Sequence, residues 1–496
     1  MQVFWLKRNL RLQDSAPFFE AMRSYRRLGK VLPLYLHEPS LIDQPDVTRQ
    51  HQCFIHETLD ELGDAIRALG GQLLEQVGEA VEVLDQLHRI MPITRICTHQ
   101  ETTQACQYER DLAVAAWCRS KGVEFVEWQQ NGVVRAGKHQ ESLSFPDYFA
   151  HSVALQLKDP RGTDLSERFA PLPIPSSKRS TVPRAHGNDK PGRQKGGRSK
   201  AETILSDFFR VQTIQRYPFQ ISSPMTAWDG CSRISAYLAY GIVSDREVFK
   251  AVDNAVGAGH QVLRPQEFEK LQDRARFYLD RLMWRRSYIQ SFEDSPALQT
   301  EPPVARFRGA RDELDADLFE AWKLGRTGFA FIDSLMRCLH ETGWIHMRGR
   351  AALVSFATMN LWQPTAKIAE YLAGQFLDYD PAIHYPIHHV VSGSAAPENG
   401  IMVYNPVKQG EHDPEGEFIR RYVPELADLP GEAVHDVTLT SGCLSDQGKA
   451  HGLRPYPAPI VDHVATGRYA RRRVQELQHG LVAAPRKRDS SQLGLL

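Results

Sequence analysis

Over the first 130 residues, five short apolar runs alternate with amphipathic stretches, and this alternation limits the fold more than any other feature of the chain. The runs lie at residues 3–6, 31–36, 72–76, 95–98 and 124–127. Between them, residues 53–69 and 80–90 carry apolar side chains at helical spacing. Strands separated by helices pair in parallel, because each crossover brings the chain back to the same end of the sheet. The expectation is a doubly wound, parallel α/β sheet with any ligand beyond the carboxyl ends of its strands. No G-x-G-x-x-G and no G-x-x-x-x-G-K-[ST] occurs, so neither the dinucleotide fingerprint nor a phosphate loop is encoded. From residue 201 the pattern changes. Residues 201–209, 234–240, 243–256, 267–292 and 314–323 all carry helical periodicity, which predicts an all-helical second domain.

A chain of 496 residues is too long for one compact core. We divide it into an α/β domain at 1–130, a linker at 131–200, a helical domain at 201–475 and a basic tail at 476–496. Lys+Arg and Asp+Glu both number 60, so net charge carries no nucleic-acid signal. Its distribution does. Residues 178–200 hold eight Lys or Arg and one acid among Pro, Gly and Ser, and the tail repeats this in RYARRRV and PRKR. Such a run reads either as a solvated flexible connection or as an arm that attracts phosphates. The prolines between Pro160 and Pro191 argue against regular structure there. Seven scattered cysteines with no C-x-x-C point to a reduced, cytoplasmic protein. No secretory leader and no long apolar run appears, which speaks against a membrane role. Oligomeric state is not encoded legibly.

The stretch 328–409 carries the densest chemistry. Phe329, Ile332, Leu335, Met336 and Leu339 form one helical face. Residues 351–357 are nearly all apolar and predict a helix buried on most sides. Arg348 and Arg350 lead into it. A guanidinium at such a place needs an anion, and Asp378 and Asp380 in FLDYDPAIHYP are the nearest downstream carboxylates.

The run TGW-x-H-x-R-x-R, then D-x-D-x-A, then NPVKQ-x-x-x-DPEGEFIRRYVPEL resembles the flavin domain of the DNA photolyase and cryptochrome family, and VFWLKRNLRLQDS at 3–15 resembles its opening strand and turn. The resemblance implies FAD as cofactor, held by the helical domain. In GCSRISAYLAYGIVS, residues Cys231, Ser232, Arg233, Ile234 and Ser235 resemble the phosphate-gripping turn, with a hydroxyl lost at Cys231. Ser232 could instead be an ordinary helix cap. In FYLDRLMWRRSYIQSF, Tyr278 and Arg285 would hold FAD and Trp284 would face the substrate cavity. Core packing is the alternative for Trp284. Arg350 with Asp378 would form the ion pair beside the flavin ring, Asp380 would face its polar edge, and Met347 would touch it. The alternative for the pair is a tie between two helices. Arg348 would be the cavity arginine. An antenna chromophore in the α/β domain is allowed by the resemblance, but Cys106 and Gln107 stand where folate binders carry Asn-Glu.

Several positions depart from the family pattern. Arg281 stands for a carboxylate that would bond the damaged base, which replaces an acceptor by five donors. His384 stands for Asn opposite the flavin N5, and Ala351 for Met in the cavity wall. His388 and Val390 stand for tryptophans, and Thr365 for a middle relay tryptophan with Trp362 close by. Trp322 and Tyr371 are offered as other hops. His384, His388 and His389 lack supporting ligands for a metal, and three cysteines are too few for the iron–sulfur branch. The expected function is a blue-light-driven, FAD-dependent photolyase acting on pyrimidine lesions in damaged DNA, with Trp284, Arg348, His384 and Arg281 at the chemistry. The alternatives are a cryptochrome-like photoreceptor and a flavoprotein that binds single strands without catalysis.

Overall fold

A computed structural model describes residues 1–135, 145–395 and 403–480. The first 130 residues form a five-stranded sheet, β1 Gln2–Leu6, β2 Val31–His37, β3 Leu74–Val77, β4 Arg95–His99 and β5 Glu124–Trp128, in the order β3-β2-β1-β4-β5. All pairings are parallel, as the alternation requires. The crossovers include α1 (Ala16–Leu28), α2 (Arg49–Ala68), α3 (Ala80–Ile90) and α4 (Ala105–Lys121). Burial of both faces explains why the inner strands β1 and β2 read as continuous apolar runs, while the edge strands β3 and β5 carry Glu and are only half-buried.

The second half is helical. It contains α5 (Phe145–Ala154), α6 (Arg198–Phe208), α7 (Asp245–Val262), α8 (Pro265–Asp294), α9 (Ala330–Thr342), α10 (Met347–Ser355), α11 (Thr365–Gln375), α12 (Pro381–Val391) and α13 (His463–His479). The apolar segment that follows Arg350 continues from α10 into a π-helical turn, Phe356–Asn360. The two halves share a core, in which Phe4, Leu6 and Phe54 join Phe208, Tyr237 and Tyr278.

The carboxyl end of β1 positions the helical half directly. Arg8 Nε donates to Ala239 O at 2.9 Å and Nη2 to Tyr379 O at 2.5 Å. Gly241 sits against the same turn with φ of 62°, and a Cβ there would lie 2.3 Å from Arg8 O. Only glycine fits that approach. The start of α2 closes the end of α11. His51 Nε2 bonds Phe376 O at 2.8 Å, and Gln50 Nε2 bonds Gly374 O at 2.8 Å.

The basic segment at 178–200 is neither a free arm nor a flexible linker. Arg193 pairs with Glu57 and Asp189, Arg179 with Asp60 and Glu75, and Arg198 with Glu202 and Glu247. Lys190 Nζ donates to Leu339 O and Gln375 O at 2.8 and 2.7 Å. Acids of α2, β3 and α7 pair with Arg179, Arg193, Lys195 and Arg198 and make the run a strap across both halves, while Lys178, Arg184 and Lys200 stay exposed. In the tail, RYARRRV belongs to α13, whose Ala470 and Val474 are fully buried. PRKR lies outside the described residues.

Candidate functional site

A cavity of about 300 Å³ opens between α8, α10, α12 and the turn at 231–235. Its walls include Leu282, Val354, Ile383, Ile387 and Val391. Arg350, in the first turn of α10, reaches Asp378 in the loop between α11 and α12. Nη1 and Nη2 donate to the two carboxylate oxygens at 3.0 and 2.8 Å. This two-point geometry is the strong form of the interaction. Arg350 Nε is fixed on Ile345 O at 2.9 Å, and its guanidinium lies 4.2 Å from the Phe376 ring centre. Asp378 also accepts from Ser235 Oγ at 2.6 Å. Burial alone would raise the Asp378 carboxyl, but Arg350 and Ser235 outweigh it and hold it below its ordinary value.

All the residues expected to hold a cofactor line this cavity: Cys231, Ser232, Arg233, Ile234, Ser235, Tyr278, Arg285, Met347, Arg350, Asp378 and Asp380. Arg281 and His384 line it too. Asp380 caps α12 through Ala382 N and takes Arg285 Nη2 at 3.4 Å, while Arg285 Nη1 meets Asn131 Oδ1 at 3.1 Å. Tyr278 OH donates to Ser232 Oγ at 3.2 Å, so Ser232 is bound to α8 and is no helix cap.

The helix after the turn, Ser235–Ala239, has only five residues. Its dipole is too short to carry the anion-binding role that the sequence suggested. Arg233 supplies the charge instead. Its φ of 55° turns the side chain into the cavity wall, and its guanidinium carbon lies 4.0 Å from the ring centres of both Trp228 and Trp344. Nε is buried with no partner. Burial is the main cause that pushes Arg233 down to about 10, with Asp378 opposing the shift. This sandwich escaped sequence reasoning because its second indole lies 111 positions downstream (Arg233 to Trp344, 344 − 233).

Trp284 and Arg348 do not line the cavity. Trp284 is 49% exposed, which removes the core-packing alternative. It stacks on Arg281, whose guanidinium lies 4.0 Å from the Trp284 ring centre and 4.3 Å from that of Phe277. The pair stands at the rim. Arg348 is half-buried and makes no ion pair among the described residues. Val390 is not in the wall; Val391, one residue on, is. Trp322 and Tyr371 pack together at 5.6 Å between ring centres, away from the wall.

Two buried histidines complete the inner end. His384 Nε2 bonds Ala369 O at 2.8 Å, and His388 Nδ1 bonds His384 O at 2.6 Å. Carbonyls only accept, so each of these nitrogens carries its proton. Burial pushes His384 down to about 4 and His388 well below its ordinary value. Both are neutral near pH 7. His384 Nδ1 is left as a lone-pair acceptor, and His388 Nε2 is buried without a partner.

The crevice beyond the ends of β1 and β2 is smaller, about 130 Å³. Arg110 pairs there with Glu38, Glu101 and Asp111, and Lys7 with Asp111 at 2.6 Å. Both cations lie 5.0 Å from the Trp5 ring centre. Gln107 is in its wall.

Comparison with known proteins places these features. Residues 2–164 match the family described as DNA photolyase, and residues 278–476 match the FAD binding domain of DNA photolyase. The chain is 26% identical to a cryptochrome DASH of Gloeobacter violaceus, covering 93% of each chain. It is 28% identical to a deoxyribodipyrimidine photo-lyase of Salmonella typhimurium, covering 93% of this chain and 95% of that one. Its fold superposes on a Synechocystis cryptochrome with a TM-score of 0.79 at 21% identity, over 95% of this chain and 98% of the other. The donor set fits FAD. The apolar slot suits a planar ring, Arg350 and Asp378 stand at its polar side, and the orphaned Arg233 Nε with the Ser232 hydroxyl suits a diphosphate.

Proposed function

The chain belongs to the DNA photolyase and cryptochrome family, and from that premise we propose that it is a light-driven lyase acting on a pyrimidine lesion turned out of DNA. The observation that carries the reading is the two-point Arg350–Asp378 pair in the wall of an apolar cavity whose rim presents Trp284 and Arg281. Bound FAD would supply a donor that releases an electron under blue light. The chain's residues do the rest. Arg350 fixes a positive charge beside the ring, where charge develops. Arg233, with Ser232, grips the diphosphate. Turning out a damaged base costs a few kcal/mol, and the exposed Trp284 face offsets part of this by stacking. Arg281 donates to carbonyl or phosphate oxygens of the lesion, and the unpaired Arg348 holds a backbone phosphate. His384 keeps its proton on Nε2 and offers Nδ1 as an acceptor towards the ring.

The charge reversal at Arg281 favours an oxygen-rich lesion over contacts that need a carboxylate. It also supports a second reading, a photoreceptor in which the lesion contacts are no longer needed. Oligonucleotides carrying cyclobutane dimers or 6-4 products, illuminated separately with the FAD-loaded and fully reduced protein, decide between them. Loss of one lesion is expected. Persistence of both under complete reduction would replace the lyase by the photoreceptor.

A further inference from the structure

Behind the histidines lies a second hollow of about 270 Å³, and His388 lines both it and the cofactor cavity. One wall is Arg311. This side chain is 7% exposed, and its guanidinium lies 4.2 Å from the Trp362 ring centre. Among the described residues its one hydrogen-bond contact is from Nη2 to Met359 Sδ at 3.5 Å, and Nε is buried without a partner there. Arg110, Arg193 and Arg350 each meet a carboxylate, whereas Arg233 in the cofactor cavity does not. Arg311 meets none among the described residues. Burial pushes it down to about 9, with Tyr469 alone opposing the shift. A desolvated cation with no counter-ion is unfavourable, and an anion in the hollow would relieve it.

The wall also holds Asp312 and the Arg308–Glu301 ion pair, and two further groups there favour an anion. The first turn of α11 borders it at Pro364, Thr365 and Ala366, with no side-chain cap and no acid in that turn. Its free N–H groups and dipole favour negative charge. His388 Nε2 adds an unpartnered acceptor, because Nδ1 holds the proton. Thr365 and His388 are also the positions where the family resemblance calls for large aromatic rings, so smaller side chains border a space at that place.

We propose that this hollow binds a small oxyanion that carries a hydrogen, with monohydrogen phosphate the simplest case. Arg311 and the start of α11 supply donors to its charged oxygens, and His388 Nε2 accepts from its O–H. Sulfate has the charge and shape but no proton to give.

The test uses the FAD-loaded full chain, titrated calorimetrically with sodium phosphate and with sodium sulfate against sodium chloride of equal ionic strength. One saturable phosphate site is expected, with a rise in Tm, and sulfate should bind about tenfold more weakly for want of one hydrogen bond. Arg311→Met should abolish the site. Because that variant could unfold, Thr365→Asp serves beside it. A carboxylate in the first turn stabilises a helix, yet it would occupy the anion's place and remove phosphate binding. Phosphate acting no better than chloride, or binding that survives both substitutions, overturns the site. Sulfate bound as tightly as phosphate overturns the part given to His388.

Discussion

The strand-end crevice and the helical cavity hold the same kinds of charged side chain, but they differ in what is left over. In the crevice, Arg110 meets three carboxylates and Lys7 meets Asp111, and the groups left unmet are Glu38 Oε1 and His56 Nε2. In the cavity, Arg350 and Asp378 satisfy each other while Arg233 Nε has no partner. A cation met by carboxylates holds a structure together. A cation donor left unmet is shaped for an anion that arrives later, because a buried donor without a partner costs about 1–3 kcal/mol.

Replacing one guanidinium in each region is the strongest way to break this contrast. Arg350→Leu should cost about 3–5 kcal/mol in a urea melt, as for any buried pair that loses one partner, and should leave the purified protein colourless. Arg110→Leu should cost a similar amount, but the folded fraction should still take up FAD. If both variants keep the cofactor, the two regions do not differ in the way described.

Arg233→Ala comes next. It removes a cation held flat between two indoles and should weaken FAD binding by about 1.5–3 kcal/mol, the range for a charged hydrogen bond. Flavin fluorescence during titration of the apoprotein reads this directly. Arg233→Lys should not restore it, since an ammonium has no planar face to stack.

Acid sharpens the comparison further, because each region buries a histidine. His51 lines the crevice and His384 the cavity, both pushed down to about 4 from 6.5, chiefly by burial. Between those values the unfolded chain takes up protons that the folded chain refuses. Stability therefore falls as pH drops from about 6.5 to about 4, by about 1.4 kcal/mol per pH unit for each histidine. His51→Gln and His384→Asn should each flatten that slope in melts at stepped pH. Only His384→Asn should also shift the flavin absorbance.

The smallest effect concerns the rim. Arg281→Glu should lower the salt dependence of DNA binding by about one unit of slope if Arg281 neutralises a phosphate. An unchanged slope would assign Arg281 to the base instead.

The inner strands were legible because parallel strands buried on both faces leave apolar runs. The Arg350–Asp378 pair was legible because a cation entering a buried helix demands an acid, and one stands at the next helix boundary. The strap was misread because its partners, Glu57, Asp60 and Glu247, lie far away in sequence, and a charge run does not announce its counter-ions. The Arg233 sandwich was invisible for the same reason. The helix behind the phosphate turn was legible almost to the residue, Ser235–Ala239 against an expected 234–240, and it ends before Gly241, whose φ of 62° and close approach to Arg8 break it.

The strap has a mechanical consequence. It ties α2 and β3 to α7, α9 and α11 through ion pairs and buried carbonyl contacts, and the two halves already share apolar packing. Relative sliding of the halves would tear out Lys190 and Arg193 together. The polypeptide should therefore melt in one cooperative step, and a protease cut within residues 178–200 should leave both fragments associated and still yellow.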